Sequence, residues 1–387
     1  MQGEPAAEQA PGHNAAMQID IPTPMLAGLS PAQFMRKHWQ KKPLLVRQAF
    51  AAAQPPASLK ELAALAARDD VESRLVTAFD GDWKLKHGPI PRLPAMSKPG
   101  WTLLVQGLDQ HLAEARALLD LFRFVPDARL DDLMLSVASD GGGVGPHFDS
   151  YDVFLIQLAG QRRWRIGAQR DAVLRDDVPL KIIANFTPEQ EFVLEPGDML
   201  YLPPGWAHDG VAVGAGCVTG SVGFRASTAE GLAAELLPRF LDEIDGTGKL
   251  YADPRQEAST EPARVPAALL DFARRAVEAA VQRPQALERA LGEALTEPKA
   301  NVWFEPGETL PPGQGAVLDR RSRMLYDAAH VFLNGESFRA GGRDAVLMRG
   351  LADRRLLSAA EVARLSPDAR ELLDQWTEDG WVQPLAP

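Results

Sequence analysis

Two stretches decide how this chain is read: GGGVGPHFDSYDVF (141–154) and EPGDMLYLPPGWAHDG (195–210). Both sit in a region, from about 130 to 225, whose texture is strands and tight turns. DDLMLSVAS (131–139), YDVFLIQLAG (151–160), RRWRIG (162–167), EFVLEPGDMLYLPPG (191–205) and VTGSVGFRA (218–226) are short runs rich in Val, Ile, Leu, Phe and Tyr, separated by Gly and Pro. β-Branched and aromatic residues favour strands, and Gly and Pro punctuate them. Many short strands at close spacing imply a double-sheet barrel of the jelly-roll kind.

The same two stretches hold two of the seven histidines in settings unlike the rest. His147 stands two residues before Asp149. On a strand, positions i and i+2 project to one face, so an imidazole and a carboxylate would converge there. His208 follows a predicted strand at 199–202 and a Pro-Pro-Gly turn that re-aims the chain. Two histidines and one carboxylate leave three positions of a metal open, the facial arrangement of non-haem iron(II) oxygenases. The open positions matter because a bidentate co-substrate and dioxygen must fill them. A lone His-x-Asp is more often a hydrogen-bonded pair than a metal site. Here the second motif, Pro196-Gly197-Asp198 followed by Tyr201, Pro203, Gly205 and His208, tips the balance. The separation (208 − 147 = 61 residues) lets the two segments be non-sequential neighbours in a barrel.

GPHFDSYDVFLIQLAGQRRWRI (145–166) and PGDMLYLPPGWAH (196–208) resemble the two cupin motifs of the Jumonji-C oxygenases. More closely, the chain is similar to the ribosomal oxygenase family, whose bacterial members hydroxylate an arginine of a large-subunit ribosomal protein. The similarity runs from FMRKHWQKKPLLV (34–46) through SRLVTAFDGDWKLKHGP (73–89) to SVGFRA (221–226), and more loosely to the C-terminus. It implies an α+β fold: a double-stranded β-helix (jelly-roll, cupin, Jumonji-C) core, a helical dimerisation region and a C-terminal winged-helix-like domain. The expected boundaries are a disordered extension at 1–18, the oxygenase domain at 19–226, dimerisation helices at 227–304 and the winged-helix-like domain at 305–387.

The resemblance also implies roles. Iron(II) would be held by His147, Asp149 and His208, with 2-oxoglutarate and dioxygen as co-substrates. The far carboxylate of 2-oxoglutarate falls to a basic residue 15 positions after the first ligand (162 − 147), Arg162. A guanidinium can bind a carboxylate bidentately. Arg162 and Trp164 would share one strand face and Arg163 and Arg165 the other. Parity does not say which face is inward, so Arg163 stays an alternative. The substrate pocket is implied to use Asp132, Tyr151 and Ser221: a carboxylate and a hydroxyl accept from a guanidinium while an aromatic face packs its stem. An arginyl side chain of a large-subunit ribosomal protein is the implied target. Hydroxylation of histidine, N-demethylation, a vestigial ribosome-binding core and a non-oxygenase metal-binding cupin are the competing readings. The oxygenase reading alone requires Arg162 beside the triad.

The rest of the chain reads more simply. Residues 1–17 are Ala, Gly, Pro and polar. Ser30-Pro31 starts a helix over about 30–40, 44–50 reads as a short strand, and 58–68 as a helix. After Ser227 the spacing turns helical, with Leu232, Leu236 and Phe240, then Leu269, Ala273, Val277 and Val281, then Leu287, Leu291 and Leu295. These stripes suit a core or a dimer interface. A Gly/Pro-rich linker is expected near 305–315. A hairpin at Asn334-Gly335, helices near 343–351, 358–365 and 366–376, and a strand at 381–385 complete a unit about the size of a winged helix.

Composition bounds the function. The 387 residues are 45% hydrophobic and 24% charged, as in an ordinary globular protein. A net charge of −11 argues against gripping phosphate backbones and suits a basic partner. The C-terminal unit carries acids and bases in similar number, so direct DNA binding is not expected. Gly141–Gly145 lacks the Lys-Ser/Thr of a phosphate loop. One cysteine, Cys217, excludes an internal disulfide and a thiolate cluster. No apolar run is long enough to span a bilayer and no secretory signal is present, so a cytoplasmic protein is expected.

Overall fold

A computed structural model describes residues 18–242 and 250–385. The extension expected at 1–18 lies outside them except for Gln18, as does 243–249 of the helical region. The described residues divide into two compact units, one of 18–226 with 300–303, the other of 227–242, 250–299 and 304–385.

In the first unit, α1 (Pro31–Lys37) and α2 (Leu59–Ala66) each open on a capping box. Ser30 pairs with Gln33, and Ser58 with Glu61. A third helix, α3, covers Ala113–Asp120. Nine strands follow the chain as β1 (Leu44–Val46), β2 (Ser73–Phe79), β3 (Asp82–His87), β4 (Trp101–Val105), β5 (Leu130–Ala138), β6 (Val153–Gly167), β7 (Gln190–Leu194), β8 (Met199–Leu202) and β9 (Ala207–Phe224). Their antiparallel order is β1-β8-β6-β9-β5-β4-β2-β3, with β7 paired to the second half of β6.

The runs at 151–160 and 162–167, which the sequence presents as separate, form one strand, β6. VTGSVGFRA is the far half of the 18-residue β9. The glycines between the runs bend these strands without ending them. Gly160 takes φ 62°, where a β-carbon is strained, and the β6–β9 register shifts on both sides of Ala159. The bend lets β6 serve two sheet faces: 153–156 pair with β8, 162–166 with β7, and β9 accompanies both. That is the closure of a jelly roll.

Side-chain alternation divides the apolar residues accordingly. Leu133, Leu135, Phe154, Ile156 and Tyr201 face outward from the barrel onto α1–α3, with Phe34 of α1 edge-on to Phe124 and Tyr201 and tilted against Phe154. Val153, Leu155, Trp164, Ile166, Leu194 and Leu200 fill the barrel interior. The β2–β3 hairpin, turning at Asp80-Gly81 with both residues at positive φ, and α3 are elements that the sequence reading did not include.

The second unit holds α4 (Ala229–Asp242), α5 (Ala267–Val281) and α6 (Ala286–Thr296). Leu236 and Phe240 pack against Ala286, Ala290 and Ala294. Two three-stranded sheets follow, built from β10 (Ala316–Leu318), β11 (Met324–Tyr326), β12 (His330–Leu333), β13 (Glu336–Arg339), β14 (Leu356–Leu357) and β15 (Val382–Pro384). The helices α7 (Gly342–Arg354), α8 (Ala359–Val362) and α9 (Pro367–Glu378) cover them. Asn334-Gly335 turns β12 into β13 as expected. The stretch near 305–315 is not a free linker. Leu310 is buried in the core of this unit, its N–H bonds the Asp374 carboxylate, and Gly307 donates to Glu378. Its Gly and Pro mimic a linker, but the buried leucine anchors it. Among the described residues no helix is long and apolar enough to cross a membrane.

Candidate metal centre

His147 does not lie in a regular strand. It forms an isolated antiparallel bridge with His208, each backbone N–H donating to the other's carbonyl (2.9 and 2.7 Å). The segment enters along Gly142 and Gly143, where a β-carbon would strike the Trp101 and Gly210 carbonyls at 2.3 and 2.6 Å. The glycines that resemble a phosphate loop therefore let this segment run close beside β9.

His147, Asp149 and His208 each offer a ligand atom within 4.8 Å of the others. His147 Nε2 lies 4.0 Å from Asp149 Oδ1, and His208 Nε2 3.7 Å from Asp149 Oδ2. Each imidazole is tied behind by a backbone carbonyl: His147 Nδ1 to Gly145 O and His208 Nδ1 to Trp206 O, both 2.9 Å. A carbonyl there takes the Nδ1–H, leaving the Nε2 lone pair aimed at the common point. Burial, then the neighbouring His147, pushes the His208 imidazole down to about 3, so it stays a neutral donor. Burial raises the Asp149 carboxyl, opposed by His147, the Tyr151 hydroxyl bonded to it, and Arg74. Two neutral nitrogens and one oxygen, locked from behind and converging, fit a divalent ion with open positions.

The register of β6 against β9 puts Ile166, Trp164 and Arg162 opposite His208, Gly210 and Ala212. All point into the barrel. Arg162 is 4% exposed, whereas Arg163 is exposed and Arg165 pairs with Asp209 at 2.5 Å on the outer side. Arg162 Nη1 donates to Gly210 O (3.2 Å), while its Nε and Nη2 are buried with no partner among the described residues. A buried guanidinium with two unmet donors is costly unless an anion completes it. Trp164 lies between, 5.7 Å below the guanidinium and with its ring 5.9 Å from that of His208. Only glycine fits at 210, since a β-carbon would meet the Trp164 ring at 2.5 Å.

Of the other three expected residues, Tyr151 bonds the Asp149 carboxylate and Asp132 acts on Tyr151, whereas Ser221 is placed only by its strand register. Asp132 is buried on β5 and accepts the Gly107 N–H at 3.1 Å. Ser221 of β9 is opposite Met134 of β5 and Leu155 of β6. Tyr151 remains 38% exposed. Burial, then the charges of Asp149 and Asp132, drives its hydroxyl well above the usual range. The structure adds one neighbour that the sequence reading missed. Arg74 on β2 bonds Gln106 Oε1 at 3.0 Å, sits 4.0 Å from Met134 Sδ, and acts on both Asp149 and Tyr151. Nothing in SRLVTAF marks it; only the pairing of β2 with β4 and β4 with β5 carries it there.

Residues 117–232 match the family model of the JmjC domain, and 276–383 that of the ROXA-like winged helix. The chain is 35% identical over 331 residues to the ribosomal protein uL16 3-hydroxylase of Escherichia coli, spanning 81% of this chain and 86% of that protein. It is 34% identical over 400 residues to a probable ribosomal oxygenase of Haemophilus influenzae, spanning 92% and 96%. An X-ray structure of E. coli YcfD superposes with a TM-score of 0.83 at 32% identity, covering 92% of this chain and 98% of that one. A second YcfD structure, in complex with cobalt and 2-oxoglutarate, gives 0.79 at 31%, covering 92% and 99%. With a jelly-roll core, a winged helix and relatives aligned along nearly its whole length, this chain is a member of the ribosomal oxygenase family of JmjC proteins.

Proposed function

We propose that the protein is an iron(II)- and 2-oxoglutarate-dependent hydroxylase of an arginyl side chain in a large-subunit ribosomal protein. The E. coli relative is named for acting on uL16, and its structure holds cobalt with 2-oxoglutarate. His147, Asp149 and His208 hold the iron, and Arg162 takes the far carboxylate of the co-substrate. Bound there, iron, 2-oxoglutarate and dioxygen supply an oxidant able to break an unactivated C–H bond, with succinate and carbon dioxide as by-products. The chain supplies position and dryness. Trp164 and Leu200 wall the interior, and Gly210 lets the indole lie flat against β9. Asp132, Tyr151 and Ser221 form the arginine slot, where a carboxylate and a hydroxyl meet the planar fork of donors that a lysine lacks.

The observation that carries this reading is Arg162, buried with two open donors on the strand face that also presents Trp164 toward His208. The assembly we propose is a cytoplasmic homodimer with an oxygenase domain at 19–226, dimerisation helices at 227–304 and a winged-helix-like domain at 305–387. Leu270 and Val277 on α5, 54% and 63% exposed, supply apolar surface for the partner. Thermal melting with manganese(II) tests the site. Added 2-oxoglutarate should raise Tm for the wild type and not for Asp149→Ala. A wild type indifferent to 2-oxoglutarate would contradict the reading.

A further inference from the structure

Two walls of the arginine slot, Tyr151 and Asp132, each have an immediate neighbour tied into one chain of ion pairs and hydrogen bonds. Asp152, next to Tyr151, has no exposed surface. Its Oδ1 accepts the Tyr201 hydroxyl at 2.6 Å, and its Oδ2 accepts Gln40 Nε2 at 3.0 Å and faces Arg129 Nη2 at 3.6 Å. Asp131, next to Asp132, lies 3.7 Å from Arg225 Nε. The two arginines join the halves. Arg129 Nε donates to Arg225 O at 2.7 Å, and Arg225 N to Arg129 O at 2.5 Å. Arg129 is further seated 5.7 Å over the Trp39 ring. The chain therefore runs from Asp131 through Arg225 and Arg129 to Asp152.

It crosses a place where the ladder of the sheet is irregular. Between Leu130, paired with Phe224, and Leu133, paired with Val222, the β5–β9 register slips, so Asp131 and Asp132 stand in a bulge. The backbone ladder does not fix the direction of Asp132 there. On the other side, Tyr151 precedes the start of β6 and also lacks ladder support. The ends of the ion chain sit one residue from each.

We propose that Asp131, Arg225, Arg129 and Asp152 form a clamp that sets the width of the arginine slot. They are positioning residues that hold Asp132 and Tyr151 at a guanidinium's distance, and this role rests on the arginine reading above. These clamp contacts involve neither the metal ligand His208 nor Arg162 of the co-substrate site. Loosening it should act first on the protein substrate, reaching the metal centre only through the Tyr151 hydroxyl bonded to Asp149.

The test uses full-length Asp131→Asn, Arg129→Lys and the double variant, with an arginine peptide of the basic ribosomal substrate and its lysine twin. Asp131→Asn changes a partly exposed side chain, so it keeps the test open should Arg129→Lys misfold. Peptide binding is measured without oxygen, with manganese(II) and 2-oxoglutarate present, and turnover separately. Each single variant should raise the arginine-peptide Kd and KM by about tenfold, with kcat within about twofold and a smaller arginine-over-lysine preference. The double variant should lose less than the product of the two, because both break one chain. The stabilisation by 2-oxoglutarate should not change. Unchanged peptide affinity and preference overturn the clamp, and so does a parallel loss of 2-oxoglutarate stabilisation, which would signal general loosening. A wild type that prefers arginine beside indifferent variants overturns the clamp alone. A wild type that binds neither peptide overturns the arginine reading and the clamp with it.

Discussion

Arg162 shows how one residue can report on a ligand. Other arginines of this unit find carboxylates: Arg165 has Asp209, Arg116 has Asp120, Arg123 has Asp127. Arg162 has one carbonyl and two idle donors in a sealed site. Charge-assisted bonds are worth about 1.5–3 kcal/mol each, so completing the fork with a carboxylate is a large gain. Arg162→Ala is expected to raise the 2-oxoglutarate KM roughly ten- to a hundredfold while manganese(II) affinity stays near that of the wild type. Arg163→Ala, on the outer face, should change neither. Isothermal titration of both variants separates the two effects, and an unaltered 2-oxoglutarate affinity in Arg162→Ala would move the role elsewhere.

At the scale of the element, the turn from Glu195 to Asp198 illustrates how β8 is held in place. Burial raises the Asp198 carboxyl, but the N–H groups of Gln48 and Glu195 and the Arg47 guanidinium outweigh it, so the net shift is downward. A carboxyl held below its unfolded value near about 3.9 adds stability above that pH, and the gain is lost as pH falls through the folded value. Asp198→Asn should therefore flatten the acid limb of the stability curve below pH about 4, while lowering stability at neutral pH. Urea midpoints across that range check it. A variant with the same acid limb as the wild type would show that this turn is not a pH-dependent contributor.

The elements also explain what the sequence disclosed. His147, Asp149 and His208 were legible because their chemistry is local: spacing and a Pro-Pro-Gly turn announce them. Helix starts were legible at Ser30 and Ser58 because caps are written within four residues. The continuity of β6 and β9 was not. A glycine inside a run looks the same whether it ends a strand or bends it, and only the pairing of both halves of β6 with β9 decides. Arg74 was invisible for a similar reason, since its place depends on two strand registers. The buried Leu310 hid in a Gly/Pro-rich stretch whose composition outweighs one anchor.

At the scale of the whole molecule, α5 displays Leu270 and Val277 to solvent, apolar surface open to a partner. We expect a homodimer, so light scattering at micromolar concentration should give about twice the 42.1 kDa chain mass. Leu270→Glu with Val277→Glu should shift the population toward monomer. A wild type of chain mass alone would contradict the dimer and leave the oxygenase site untouched. A net charge of −11 adds a salt-sensitive attraction for a basic ribosomal protein, which falls with ionic strength.

The most direct measurement is mass spectrometry of an arginine peptide from the ribosomal substrate after incubation with enzyme, iron(II), 2-oxoglutarate and air. The account predicts the gain of one oxygen on a carbon of the arginyl side chain, one succinate per event, and neither product with His208→Ala. An unmodified peptide with no succinate, or a product that has lost a methyl group instead of gaining an oxygen, would contradict it.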